Sequence, residues 1–240
     1  MDKHTLTQHI SHRFNEELES IVDDVLVMGG VVEQQLEEAL RALVEGDTEA
    51  GERVISRDYL INAQEVDLDE RCTQILARRQ PAASDLRLVM AVIKAITDLE
   101  RIGDESERIG KMAMRLTEQD RRRQPLDQIN ALGDQVRQML RGALDCFARM
   151  DAQAAVRVAE EDIATDRQYE ALMRLLVGYM EEHPDSIAAA MDLVWSARSL
   201  ERIGDRSRNI CEYVIYFVKG KDVRHTSFEQ MAREAAAERG

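Results

Sequence analysis

Apolar residues recur at steps of three and four along almost the whole chain, the spacing of one face of an α-helix, and turn-forming residues gather where the pattern breaks. The pattern predicts six helices. The first three run from about Phe14 to Glu45, ending at Gly46-Asp47; from about Gly51 to Arg79, ending before Pro81; and from after Ser84 to about Gln119. A charged stretch from Glu118 to Asp127, containing Pro125, reads as a connector. The next three cover about Pro125 to Met150, Asp151 to Glu182 and Asp185 to Lys219, the last two separated at His183-Pro184. The tail from Gly220 onward is charged and is expected to fray. Helices with short connections and one apolar stripe each must turn back on themselves, so each set of three is expected to form an antiparallel bundle.

The two sets resemble each other. The pentapeptide ERIGD occurs at Glu100–Asp104 and again at Glu201–Asp205, and the segment beginning at Leu86 aligns without a gap to the one beginning at Ile187. This internal duplication predicts an all-α fold of two tandem three-helix bundles, residues 1–119 and 120–240, related by a pseudo-twofold axis and carrying two equivalent sites.

The 240 residues are 44% hydrophobic, enough for a substantial core, and poor in aromatics, proline and glycine, as long helices require. A net charge of −14 opposes direct binding to nucleic acid or to an anionic membrane surface. The start of the chain has no apolar segment of signal-peptide length, and the apolar run Val25–Val32 is too short to span a bilayer, so a cytoplasmic location is expected. Cys72, Cys146 and Cys211 are far apart and fit buried free thiols better than a disulfide framework or thiolate zinc site.

The chemistry lies in the repeated acids. At 100° per residue, Leu86, Val89, Met90 and Ile93 form a stripe that Glu100 and Asp104 extend; Ile187, Ala190, Met191 and Val194 form another that Glu201 and Asp205 extend. Four carboxylates are therefore expected in core positions, where each unpaired charge costs several kcal/mol. Protonation, arginine pairing or a bound cation would relieve them, and iron, manganese, magnesium, calcium or zinc at a carboxylate site are the candidates. Asp58, Glu65 and Asp69 on the second helix, and Asp162 and Asp166 on the fifth, are possible additional ligands. The competing reading is ion pairing of Asp104 with Arg108, Asp205 with Arg208 and Arg198 with Glu201, with the second-helix acids on a solvated face. None of the five histidines forms Glu-x-x-His, which disfavours a ferritin-like di-iron site. Gly103 and Gly204 beside the acids are expected to let a neighbouring helix or ligand approach closely. Met28, Met90, Met112 and Met191 read as core filling. No nucleophile–base pair, P-loop or GxGxxG motif stands out.

With its tandem acidic signature, FNEEL at Phe14, MGG at Met28, DYLINAQEVD at Asp58, QPAASDLR at Gln80, and Asn209, Ile210 and Glu212 in the second copy, the chain resembles the PhoU family of phosphate-transport regulators. The resemblance implies a cytoplasmic, often dimeric, non-enzymatic regulator that represses the phosphate-starvation response. It would link the ATPase of a phosphate ABC transporter to a phosphate-sensing histidine kinase, and could hold multinuclear metal through the acidic signature. Arg108 departs from the second copy's Asn209, and the second half lacks a counterpart of Asp85-Leu86-Arg87. A carboxylate-bridged metalloenzyme and a metal store are the alternatives.

Overall fold

The computed structural model describes residues 12–117 and 125–237. The first half contains α1 (His12–Glu45), α2 (Thr48–Arg79) and α3 (Ala83–Leu116). The second contains α4 (Leu126–Arg149), α5 (Ala152–Glu160), α6 (Asp162–Glu182) and α7 (Ile187–Lys219), followed by a short α8 (Phe228–Ala236). There is no strand among the described residues. Residues 118–124 of the expected connector, and the expected end of the third helix at Gln119, lie outside them.

The halves repeat one another in detail. The turn between α1 and α2 places Gly46 in the left-handed region, and the one between α4 and α5 does the same with Met150. Each is followed by an aspartate N-cap: Asp47 accepts from the Ala50 N–H at 3.0 Å, and Asp151 from the N–H groups of Gln153 and Ala154 at 3.0 and 2.9 Å. In this register Gly29 matches Gly133, and Leu40 matches Leu144. The leucines reach across the pseudo-twofold: a Cβ on Gly29 would lie 2.5 Å from Leu144 Cδ2, and a Cβ on Gly133 would overlap Leu40. The two reciprocal contacts let α1 and α4 cross closely.

The largest interface between the halves is α3 against α7. Arg206 Nη1 binds Asp98 Oδ1 at 3.1 Å, and Ser199 Oγ donates to Glu105 Oε2 at 2.6 Å. Under the alignment of Leu86 with Ile187, Asp98 matches Ser199 and Glu105 matches Arg206, so these contacts are pseudo-symmetric mates on antiparallel helices. Arg202 Nη1 also donates to Glu105 at 2.9 Å, and the Tyr213 hydroxyl donates to Asp98 Oδ2 at 2.7 Å.

Three details depart from the sequence pattern. The expected single helix Asp151–Glu182 is interrupted at Glu161, where the N–H bonds Val158 O at 3.1 Å, a three-residue step that tightens one turn. The tail does not simply fray: Ser227 caps α8, whose Met231 and Ala235 are buried, and α8 packs on α5. Finally, the buried residues of α3 and α7 include Leu88, Val92, Ala95, Leu99 and Ile102, and Leu193, Ala197, Leu200 and Ile203, outside the predicted stripes. The stripes predicted from Leu86 and Ile187 enter the core only in part: Val89 and Ala190 are fully buried and Ile93 and Val194 pack on the core, but Leu86 is 41% and Ile187 46% exposed, Met90 is half-buried, and Met191 is exposed. Both helices are central and bury more than one face, so a wheel anchored at their first apolar residue points to the edge of the core. Met28 and Met112 do fill the core, and the three cysteines are free and buried.

Candidate acidic cation sites

Because the stripe runs along the edge of the core, the signature carboxylates lie there too. Glu100 and Glu201 are half-buried, while Asp104 and Asp205 are exposed, so none is a core residue as the wheel implied. Of the nine candidate acids, the buried ones are on the neighbouring helices: Asp58 on α2 and Asp162 at the start of α6. Glu65 is half-buried, and Asp69 and Asp166 are exposed.

Glycine brings these helices together. A Cβ on Gly103 would lie 3.1 Å from Ile61 Cδ1 on α2, and one on Gly204 would lie 3.3 Å from Thr165 Cγ2 on α6. The result is two acid clusters, Asp58, Glu65, Glu100 and Asp104 in the first half, and Asp162, Asp166, Glu201 and Asp205 in the second. Asp69 flanks Glu65.

Burial, with the charges of neighbouring acids, raises the pKa of six of these carboxyls. Burial raises Glu100 above its ordinary value, with the charges of Asp104 and Glu65 adding to it; burial and then Asp58 raise Asp104. Burial and Asp69 raise Glu65. In the second half, burial and Asp205 raise Glu201, burial followed by Asp162 and Asp166 raises Asp205, and burial and Asp162 raise Asp166. Asp104 and Asp205 expose much of their area, so the like charges beside them carry more of the argument than their burial.

The expected ion pairs form only in part. Arg198 Nη1 binds Glu201 Oε1 at 2.6 Å. Arg108 turns to Glu105 at 3.4 Å, and Arg208 turns to Asp162 at 2.9 Å and Glu212 at 3.2 Å. Among the described residues, neither Asp104 nor Asp205 forms a salt bridge.

In charge and donor type the clusters fit a hard cation: the donors are oxygens, acids of like charge stand side by side, and Glu201 Oε2 is buried without a hydrogen-bond partner. Among the described residues, no three acidic, histidine or cysteine side chains already converge on a metal position. Coordination would therefore require side-chain rotation.

Residues beyond the candidate acids shape the clusters. Gln35 and Asn62 hold Asp58, and the polar seam between α3 and α7 separates the two clusters. Glu107 and Arg208 occupy equivalent positions with opposite charge, a difference visible in the aligned repeats. Gln35 gave no comparable signal, because α1 carries no motif that points to α2. Among the described residues, no helix is long and apolar enough to cross a membrane.

A PhoU domain model matches residues 25–113 and 129–214, once in each half. The chain is 48% identical over 234 residues to the phosphate-specific transport system accessory protein PhoU homolog of Pseudomonas putida, covering 98% of this chain and 91% of that protein. It is 47% identical over 232 residues to phosphate-specific transport system accessory protein PhoU of Escherichia coli, covering 96% and 95%. The crystal structure of PhoU from Pseudomonas aeruginosa superposes with a TM-score of 0.85 at 46% identity, covering 87% of this chain and all of that one. That of the phosphate transport system regulatory protein PhoU from Streptococcus pneumoniae gives 0.81 at 30% identity, covering 88% and 99%. With both halves matched and the acidic signature present in each, the chain belongs to the PhoU family.

Proposed function

We propose that this protein is a cytoplasmic, non-enzymatic regulator of phosphate homeostasis that acts as a homodimer and represses phosphate uptake and the phosphate-starvation response. It does so by contacting the ATPase of a phosphate ABC transporter and a phosphate-sensing histidine kinase, linking the state of one to the other. The observation that carries this reading is the near full-length match to phosphate-transport accessory proteins, with the paired acidic signature present in both halves.

The residues suggest how contact and charge combine. The polar seam of Asp98, Glu105, Arg202 and Arg206 holds α3, which carries part of one acid cluster, against α7, which carries part of the other. A cation bound at a cluster supplies the positive charge that its carboxylates lack. Iron, manganese, magnesium, calcium and zinc remain the candidates, held by Glu100 and Asp104, with Asp58, Glu65 and Asp69, and by Glu201 and Asp205, with Asp162 and Asp166. The net charge of −14 favours a basic face on the partner, with binding that weakens as salt is raised.

Deletion of the gene tests the regulatory role: phosphate-starvation genes should switch on in phosphate-rich medium. Normal repression in the deletion strain would remove the proposal, and salt-independent partner binding would remove its electrostatic part.

A further inference from the structure

Each repeat buries one aspartate at the root of its acid cluster, and the two are held by different chemistry. Asp58 accepts hydrogen bonds from Gln35 Nε2 at 3.1 Å and Asn62 Nδ2 at 3.2 Å, both neutral amides. Gln35 is itself only 7% exposed, and its Oε1 has no hydrogen-bond partner. That oxygen belongs to the amide that holds Asp58, and it abuts α3 at the signature: it would lie 3.2 Å from a Cβ on Gly103, the residue before Asp104.

Asp162 is held by a charge. Arg208 Nη1 lies 2.9 Å from its Oδ2, Arg208 Nε donates to Glu212 Oε1 at 3.2 Å, and the guanidinium sits 5.7 Å from the Phe228 ring of α8. Arg198 closes on Glu201 in the same cluster. In the first cluster, by contrast, Asp58, Glu65, Glu100 and Asp104 form no salt bridge among the described residues. Arg101 and Arg108 act on it only through space, and Arg108 is bound to Glu105.

The repeats show where this difference arises. Arg208 aligns with Glu107, and the register that matches Asp58 with Asp162 matches Gln35 with Met139. One half therefore brings a guanidinium to its buried aspartate. The other has an acid at that position and an amide oxygen without a partner.

Building on the proposal that these clusters take cations, we infer that the two sites are unequal. The first repeat's site binds a hard divalent cation, with Gln35 Oε1 as a neutral oxygen beside the carboxylates. The second carries Arg208 as its resident counter-charge and takes a cation weakly. Cation affinity at oxygen sites follows the net charge of the donors, and a fixed guanidinium among them opposes a second positive charge.

Manganese(II) titration of the full-length protein, followed by the electron paramagnetic resonance of the free ion, tests this directly. The natural protein should show one tight class of site. Glu107→Arg, which places a guanidinium where the second repeat has one, and Asp104→Asn should each weaken that class by about tenfold or more, while Asp205→Asn should change it by less than about twofold. Arg208→Gln should strengthen the second site by about tenfold. Circular dichroism checks that variant's fold; if it does not fold, the other three decide, because they alter side chains at least partly open to solvent. Two equal tight classes in the natural protein, or tight binding that survives Glu107→Arg and falls with Asp205→Asn, would overturn the inequality alone. Absence of manganese uptake by the natural protein would overturn the cation reading itself.

Discussion

Gly29 and Gly30 are neighbours in α1 with opposite duties. Gly29 receives the Leu144 side chain across the pseudo-twofold, whereas a Cβ on Gly30 would meet nothing within 4 Å. Gly29→Ala should therefore destabilise the protein by about 1–3 kcal/mol despite alanine's better helix propensity, because the isobutyl group must leave its rotamer. Gly30→Ala should stabilise it by up to about 1 kcal/mol. Urea unfolding of the two variants checks the contrast, and equal effects would mean that Leu144 can swing aside. From sequence the two glycines are indistinguishable. What separates them is a contact with a helix in the other half of the chain, which no local pattern encodes. The acids were legible for the opposite reason: their duplication is in the sequence itself, and all nine candidates map to the two clusters or, for Asp69, to the flank of one. Their depth was not legible, since periodicity gives the direction of a face but not how many neighbours a central helix has.

At the scale of elements, the caps and breaks carry the repeat. Asp47 and Asp151 start α2 and α5 from equivalent turns, so Asp151→Ala should cost about 0.5–2 kcal/mol in denaturant titrations. Helix boundaries could be read from the sequence because caps and prolines mark them. The break at Glu161 could not, because its backbone stays helical and the change is confined to three-residue hydrogen bonds such as Glu161 N–H to Val158 O and Ala164 N–H to Glu161 O. α8 escaped for another reason. Only Met231 and Ala235 of that helix are buried, too few apolar positions to stand out in a charged tail. Met231→Asp should detach it, with fast hydrogen exchange appearing in α8 while the bundle helices stay protected. Protection unchanged in α8 would show that the Phe228 contact with Arg208 is enough to hold it.

The whole molecule should register its acid clusters through pH. Glu65, Glu100, Asp104, Asp166, Glu201 and Asp205 all have raised pKa values, with burial as the leading cause and neighbouring acids adding to it. Above the ordinary carboxylate range the folded state therefore still holds protons that the unfolded chain has released, and this contribution to stability is lost as pH rises through the raised values. Asp222, lowered to about 2 chiefly by its hydrogen bond to Arg224, titrates below that window. Cation-free protein should accordingly melt at a lower temperature at about pH 7 than at about pH 5, and added manganese should raise the melting point more at the higher pH. Calorimetry in the presence of chelator measures the slope. A melting point that climbs over this interval without cation would show that the clusters are not frustrated.

The seam between α3 and α7 also decides which halves recognise each other. Asp98 and Glu105 are both supplied by the first half, while the second places Ser199 and Arg206 at the matching positions. Were two copies of the first half to meet along this seam, each Asp98 would face a Glu105, with like charges enclosed where the intact protein sets a guanidinium against a carboxylate. Halves produced as separate chains should therefore sort into mixed pairs, with the first half rejecting its own kind. The duplication has become a lock and its key, carried on one polypeptide.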